Sequence, residues 1–179
     1  MLIDKMGEEL NRVKTKPEDE TLQIGHLPIH EQAMRSWAYS KAREDSHILD
    51  FFQGQIVQEL ECEKCHLKRA NFEVFTCLDL EMNSKSARNE DGDLTLTSML
   101  KEYAMPERIE QKLKCPRCNK GRRHIKRSII SQFPKVLVIH FKRFKHIGGE
   151  EYDKLEDDVE LANTVDLDLM FNDEDKKNY

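Results

Sequence analysis

The sequence predicts a mixed α+β fold. Short helices occupy the first third, and a mostly antiparallel sheet with a metal-clamped projection fills the rest. Three observations predict it. The hydrophobic period changes from helical to alternating near Gly54. Two Cys-x-x-Cys pairs, Cys62/Cys65 and Cys115/Cys118, flank a long stretch of strand-like sequence. A near-continuous apolar run, Val136-Leu137-Val138-Ile139-His140-Phe141, follows Pro134.

The 179 residues suit one domain, or one domain with an appendage. Apolar residues are 38% and charged residues 35%, so the chain is more polar than an average globular one. With 29 basic and 34 acidic side chains the net charge is −5. That argues against nucleic acid as the partner of the whole chain. No apolar run approaches the ~20 residues a membrane-spanning helix needs. The start, Met1-Leu2-Ile3-Asp4-Lys5, does not read as a secretory signal. The default expectation is therefore cytoplasm or nucleus, with no membrane partner.

The elements follow in order. Leu2, Ile3, Met6, Leu10 and Val13 recur at helical spacing. Residues 14–29, with Pro17, Gly25 and Pro28, read as a linker. Helical spacing resumes near His30, with Trp37 as a packed anchor, and breaks at Glu44-Asp45-Ser46. Ser46 is the expected N-cap of a short helix from His47 to Gln53, and Gly54 its C-terminal cap. Gln55 to Cys62 reads as a strand entering the first cysteine pair. From Phe72 to Met82 polar and apolar residues alternate, which predicts one half-buried strand with Phe72, Val74, Thr76, Leu78, Leu80 and Met82 inward. Residues 83–93 read as a solvated loop. A helix capped by Thr95 or Thr97 ends before Pro106. The 136–141 run predicts a strand buried on both faces. Gly148-Gly149 predicts a hairpin turn, residues 154–169 one or two weaker strands, and the tail a frayed end.

The cysteines carry the clearest chemistry. Two intervening residues let both thiolates of a pair meet one ion from a tight turn, and two such knuckles make a tetrahedral S4 site. Soft thiolates favour zinc over calcium or magnesium. Four thiolates leave no open position for water, which makes the ion structural. The alternatives are four free cysteines or a redox pair, and His66 or His124 in place of one thiolate. Cys77 reads as a small hydrophobe on the second face of its strand, and His140 as a hydrogen-bonded core or second-face histidine. The basic run Arg122 to Arg127, with Lys142, Arg143 and Lys145, is expected to lie near acidic residues 156–160 and be neutralised by them.

Several stretches together resemble a known family. They are Glu9-Leu10-Asn11; Trp37; Ser46-His47-Ile48-Leu49-Asp50-Phe51-Phe52-Gln53-Gly54-Gln55; Phe72-x-x-Phe75; Leu78-Asp79-Leu80; the two cysteine pairs; and Pro134-x-Val136-Leu137-Val138-Ile139-His140-Phe141-Lys142-Arg143-Phe144. Their order is similar to the middle of the catalytic domain of ubiquitin-specific proteases. The resemblance implies a papain-like hand of fingers, palm and thumb. Zinc on Cys62, Cys65, Cys115 and Cys118 would hold the fingertips, and ubiquitin or ubiquitinated proteins would be the partners. It divides the chain into a helical region over residues 1–54, fingers 55–130, palm strands 131–171 with 136–144 central, and a frayed tail 172–179.

The family's cysteine and histidine boxes have no counterpart in this sequence. No catalytic residue is assigned, and His140 matches a palm-strand histidine. The expectation is an incomplete thiol protease domain, inactive alone, because a nucleophile, base and orienting group must meet within hydrogen-bond reach. The alternative is a non-catalytic, zinc-stabilised ubiquitin-binding or scaffold module.

Overall fold

The computed structural model describes residues 2–18, 22, 24–82, 88, 92–149 and 151–170. The tail expected at 172–179 lies outside them, as does the loop 83–93 apart from Arg88, Gly92 and Asp93.

Helix α1 (Leu2–Glu9) stops short of the expected Val13. Asn11 ends it. Its Oδ1 accepts from the Val13 amide at 2.9 Å and the Asp45 amide at 3.2 Å, and its Nδ2 donates to the Arg43 carbonyl at 3.3 Å. A side chain that satisfies local backbone in this way competes with helix continuation. It also fastens the end of α1 to the end of α2 (Ile29–Arg43). Trp37 on α2 is half-buried, with the Lys41 ammonium 5.8 Å from its ring centre. Helix α3 is a single turn, Leu49–Phe52, and Ser46 caps its entry by accepting from the Leu49 amide at 3.1 Å. Gly54 is not that helix's cap but opens strand β1 (Gly54–Cys62). A Cβ there would lie 2.6 Å from the Phe75 ring and 2.7 Å from the Gln132 carbonyl, so only glycine fits.

The remaining elements are β2 (Lys68–Phe75), β3 (Leu78–Glu81), β4 (Leu94–Thr95), α4 (Leu96–Ala104), β5 (Glu107–Cys115), β6 (Lys120–Gln132), β7 (Ile139–Lys142), β8 (Phe144–Gly148), β9 (Glu151–Lys154) and β10 (Val159–Glu160). A short 3-10 turn, Leu167–Met170, follows them. Thr95 caps α4 in a reciprocal box with Ser98.

A four-stranded antiparallel sheet in the order β2-β1-β6-β5 forms a long projection. Its register sets Val57 between Phe72 and Ile129, and Cys62 opposite His124. At its base Ile56 and Ile130 join a core with Leu78, Leu80, Met82 and Leu100, built by β3 and α4. Leu78, Leu80, Met82, Leu100 and Ile130 are each at most 1% exposed, and burying each such side chain is worth about 1.5–3 kcal/mol.

Two expected strands are altered. The 72–82 alternation is broken by a bend at Thr76 and Cys77. Phe75 packs on the core, Val74 is exposed, and the inward positions resume at Leu78. Phe72 stays partly buried opposite Val57, and the expected pattern is lost only at Val74 and Phe75, next to the bend. The 136–141 run is strand only from Ile139, and it is not buried on both faces. β7 pairs in parallel with β3 alone among the described residues, and Val136 is 44% exposed. Among the described residues β7 is a half-exposed strand with one neighbour. The Gly148-Gly149 turn forms as expected, joining β8 to β9 with φ of 135° and 60°.

Candidate metal centre

The two cysteine pairs sit at the far end of the projection, one in the β1–β2 turn and one in the β5–β6 turn. Both turns are built alike. The residue after each pair, His66 or Asn119, has φ of 57° or 52°. Its amide donates back to the carbonyl of the pair's first cysteine, His66 to Cys62 at 2.9 Å and Asn119 to Cys115 at 2.8 Å. Asparagine and histidine are among the side chains that tolerate this left-handed backbone best.

The ladder β2-β1-β6-β5 then brings the turns together. One sulfur from each of Cys62, Cys65, Cys115 and Cys118 lies within 4.8 Å of the others, and Cys65 and Cys115 are 3.6 Å apart. Metal–sulfur bonds of ~2.3 Å in a tetrahedron separate the sulfurs by about 3.8 Å, so the cluster has the size of an S4 site. Cys62 and Cys115 are fully buried. The Cys118 amide points at the Cys115 sulfur, 3.5 Å away. That donor first, with the Cys65 and Cys62 thiols behind it, pulls the Cys115 thiol down to about 6 despite burial. Cys65 moves the other way, to about 12. The Leu67 amide favours its thiolate, but burial and the Cys118, Cys115 and Cys62 sulfurs outweigh it. Four sulfurs this close and this enclosed can hold a metal ion.

Neither histidine joins the sulfurs. His66 Nδ1 meets Glu61 Oε1 at 2.8 Å. His124 is buried beside Cys62, its Nδ1 3.0 Å from the Arg122 carbonyl oxygen.

A second constellation lies at the other end of the molecule. A cleft of about 500 Å³ opens between α1, the Thr76-Cys77 bend and β7, and Asp4, Glu8, Gln53, Cys77, Asp79 and His140 line it. Thr76 Oγ1 donates to Asp4 Oδ1 at 2.6 Å, fixing α1 to the bend. His140 is exposed, not in the core, and its Nδ1 lies 3.0 Å from Asp79 Oδ1. Cys77 shares the cleft with this pair but hydrogen-bonds to neither among the described residues. Burial first, then the Asp79 and Asp4 charges, push its thiol up, the opposite of activation.

Comparison with known proteins decides the family. Residues 1–179 match the family described as Ubiquitin carboxyl-terminal hydrolase. The chain belongs to this family. Ubiquitin carboxyl-terminal hydrolase 2 of Gallus gallus is 33% identical over 145 residues, which are 80% of this chain and 40% of that protein. Ubiquitin carboxyl-terminal hydrolase 4 of Saccharomyces cerevisiae is 26% identical over 160 residues, 85% of this chain and 17% of that one. A chain of the yeast SAGA DUBm structure superposes with a TM-score of 0.57 at 24% identity, over 75% of this chain and 31% of its own. The Ubp8/Sgf11/Sus1/Sgf73 DUB module bound to ubiquitin aldehyde gives 0.54 at 24% identity, over 75% of this chain and 29% of its own. These structural likenesses show a shared fold. The chain spans 40% or less of the length of each of these relatives.

After the parts that the family resemblance implies, the four-stranded projection is termed the finger, and the β3, β7 and α4 layer with its core the palm. Sequence spacing pointed to the metal cluster because each knuckle is local. It gave no sign of the cleft, whose walls come from residues near 4–11, 53, 76–79 and 140. Among the described residues no helix is long and apolar enough to cross a membrane.

Proposed function

We propose that this chain is the finger-and-palm portion of a deubiquitinating thiol protease, and that Cys62, Cys65, Cys115 and Cys118 hold a structural zinc ion at the fingertip. In that reading finger and palm hold ubiquitin, whole or conjugated to another protein. The protease they belong to hydrolyses bonds to ubiquitin's C-terminal glycine. Isolated, the chain is inactive, since no activated cysteine–histidine pair is among its described residues. The carrying observation is the meeting of four sulfurs within 4.8 Å on a chain of this family. An all-thiolate donor set supports zinc, and its fixed register supports a scaffolding role.

Three measurements test the reading. Purified chain should contain one zinc per molecule and bind labelled ubiquitin. On a fluorogenic ubiquitin conjugate it should show no turnover. A well-folded chain that carries no zinc and ignores chelators overturns the metal assignment. Turnover that follows the chain through purification overturns the inactivity.

A further inference from the structure

The basic run after the second cysteine pair has no role in the metal centre. Acidic residues 156–160 lie beside Arg143, which donates to the Asp157 carbonyl at 3.0 Å, but among the described residues the ion pairs of Asp157 and Glu156 go to Arg88 and Lys154 and not to the 122–127 run. Residues 107–127 carry nine basic and two acidic side chains in a chain whose net charge is −5. They form the β5–β6 hairpin. Its ion pairs include Arg108 with Glu63 and Lys126 with Glu107. Lys112, Lys114, Lys120 and Arg123 are exposed and join none among the described residues.

Where these cations stand gives them a use. β5 is the outermost strand of the finger sheet, and among the described residues no strand pairs with its outer edge. Such an edge presents unpaired backbone donors and acceptors. Lys114 sits opposite Gly121 in the register, and a Cβ on Gly121 would lie 3.5 Å from that of Lys112. The two lysines therefore share one face, with Arg123 on the same face of the neighbouring strand. Lysines on an edge repel neutral apolar strands, which gain nothing in return for desolvating them. They attract a strand whose carboxylates recur at every second residue, since like-facing side chains repeat at ~6.7 Å on both strands.

We propose that β5 takes up an extended acidic polypeptide as an additional strand, with Lys112, Lys114 and Arg123 meeting its carboxylates. The occupant is polypeptide and not nucleic acid for two reasons. No Phe, Tyr or Trp occurs in 107–127 to stack a base. An open edge also rewards a partner that carries its own amide ladder.

The experiment uses the full zinc-supplied chain and a fluorescein-labelled 12-residue peptide of alternating Glu and Thr, read by anisotropy at low salt. Binding is expected to weaken as salt rises. Replacing Glu by Gln, or N-methylating alternate peptide amides, should each weaken it by at least about tenfold. Lys112→Glu with Lys114→Glu should do the same, while Lys145→Glu on β8 leaves it unchanged. The proposal fails if the Glu-Thr peptide does not bind, if the N-methylated peptide binds as well, or if the double reversal has no effect. It also fails if a 12-nucleotide oligothymidylate binds more tightly than the peptide, which would make the surface a nucleic-acid site.

Discussion

Finger and palm are held together by different kinds of interaction. In the finger, β1 runs in register with β2 and β6 from Ile56 to Glu61, and much of both faces is polar or open. Its cohesion is in the plane of the sheet, through backbone ladders, with the sulfur cluster closing the end. In the palm the strands are short: β3 and β7 pair over four residues and β4 and β10 over two. Cohesion there comes from side chains packed between layers, around Leu78, Leu80 and Met82. A ladder without a covering layer frays from its tip. A packed layer survives short ladders. The sulfur cluster therefore lies where the finger has least else to hold it.

The largest expected effect breaks the finger alone. With Cys62→Ser and Cys115→Ser together, or with a strong chelator, amides of residues 61–67 and 113–119 should lose hydrogen-exchange protection by at least about 100-fold, because metal binding is folding free energy for such a tip. Amides of β3 and α4 should change little. If palm and finger amides collapse together, the two regions are one cooperative unit and the contrast is wrong.

The converse is Leu80→Ala. Leu80 is 1% exposed in the palm core, so its loss should cost about 2–5 kcal/mol by denaturant unfolding. The zinc-to-protein ratio should stay the same. Zinc lost in a still-folded Leu80→Ala chain would show that palm packing reaches the fingertip.

This contrast also explains what could be read without coordinates. The knuckles, a threonine cap at 95 or 97, the Gly148-Gly149 turn and a bond from Ser46 into the next helix all depend on residues within a few positions of one another, and each was legible. The 72–82 and 136–141 stretches were misread because periodicity says which residues are apolar, not where a strand bends or what covers it. The bend at Thr76-Cys77 belongs to a contact with Asp4, about seventy residues away in sequence. Gly54 looked like a helix cap because its reason, the Phe75 ring and the Gln132 carbonyl, lies outside the local sequence. The cleft is assembled wholly from such remote pieces.

Between these extremes stands the knuckle backbone. Asn119 at φ 52° should accept Gly with little change. Asn119→Val should cost about 1–2 kcal/mol, the usual strain of a left-handed residue, and should lower zinc affinity in step. Equal behaviour of the Gly and Val variants would mean that the ion alone, and not the pre-shaped turn, sets the geometry.

The smallest effect belongs to neither region but to the seam joining α1 to α2 and α3. Arg12 donates from Nη2 to Asp45 at 2.7 Å and to Asp50 at 2.9 Å, and Lys41 reaches both carboxylates from the other side. The Arg12 hydrogen bonds, ahead of those from Lys41, hold both carboxyls below the usual range despite partial desolvation. A carboxyl depressed on folding stabilises the fold above its unfolded value, near ~3.9. That contribution is lost as pH falls through the lower, folded value. Arg12→Gln should therefore lower Tm slightly and evenly between about pH 5 and 8, and less at high salt. The difference from the parent should close as pH drops below about 4. If it persists unchanged to pH 2, the arginine acts through the packing of its stem and not through the two aspartates.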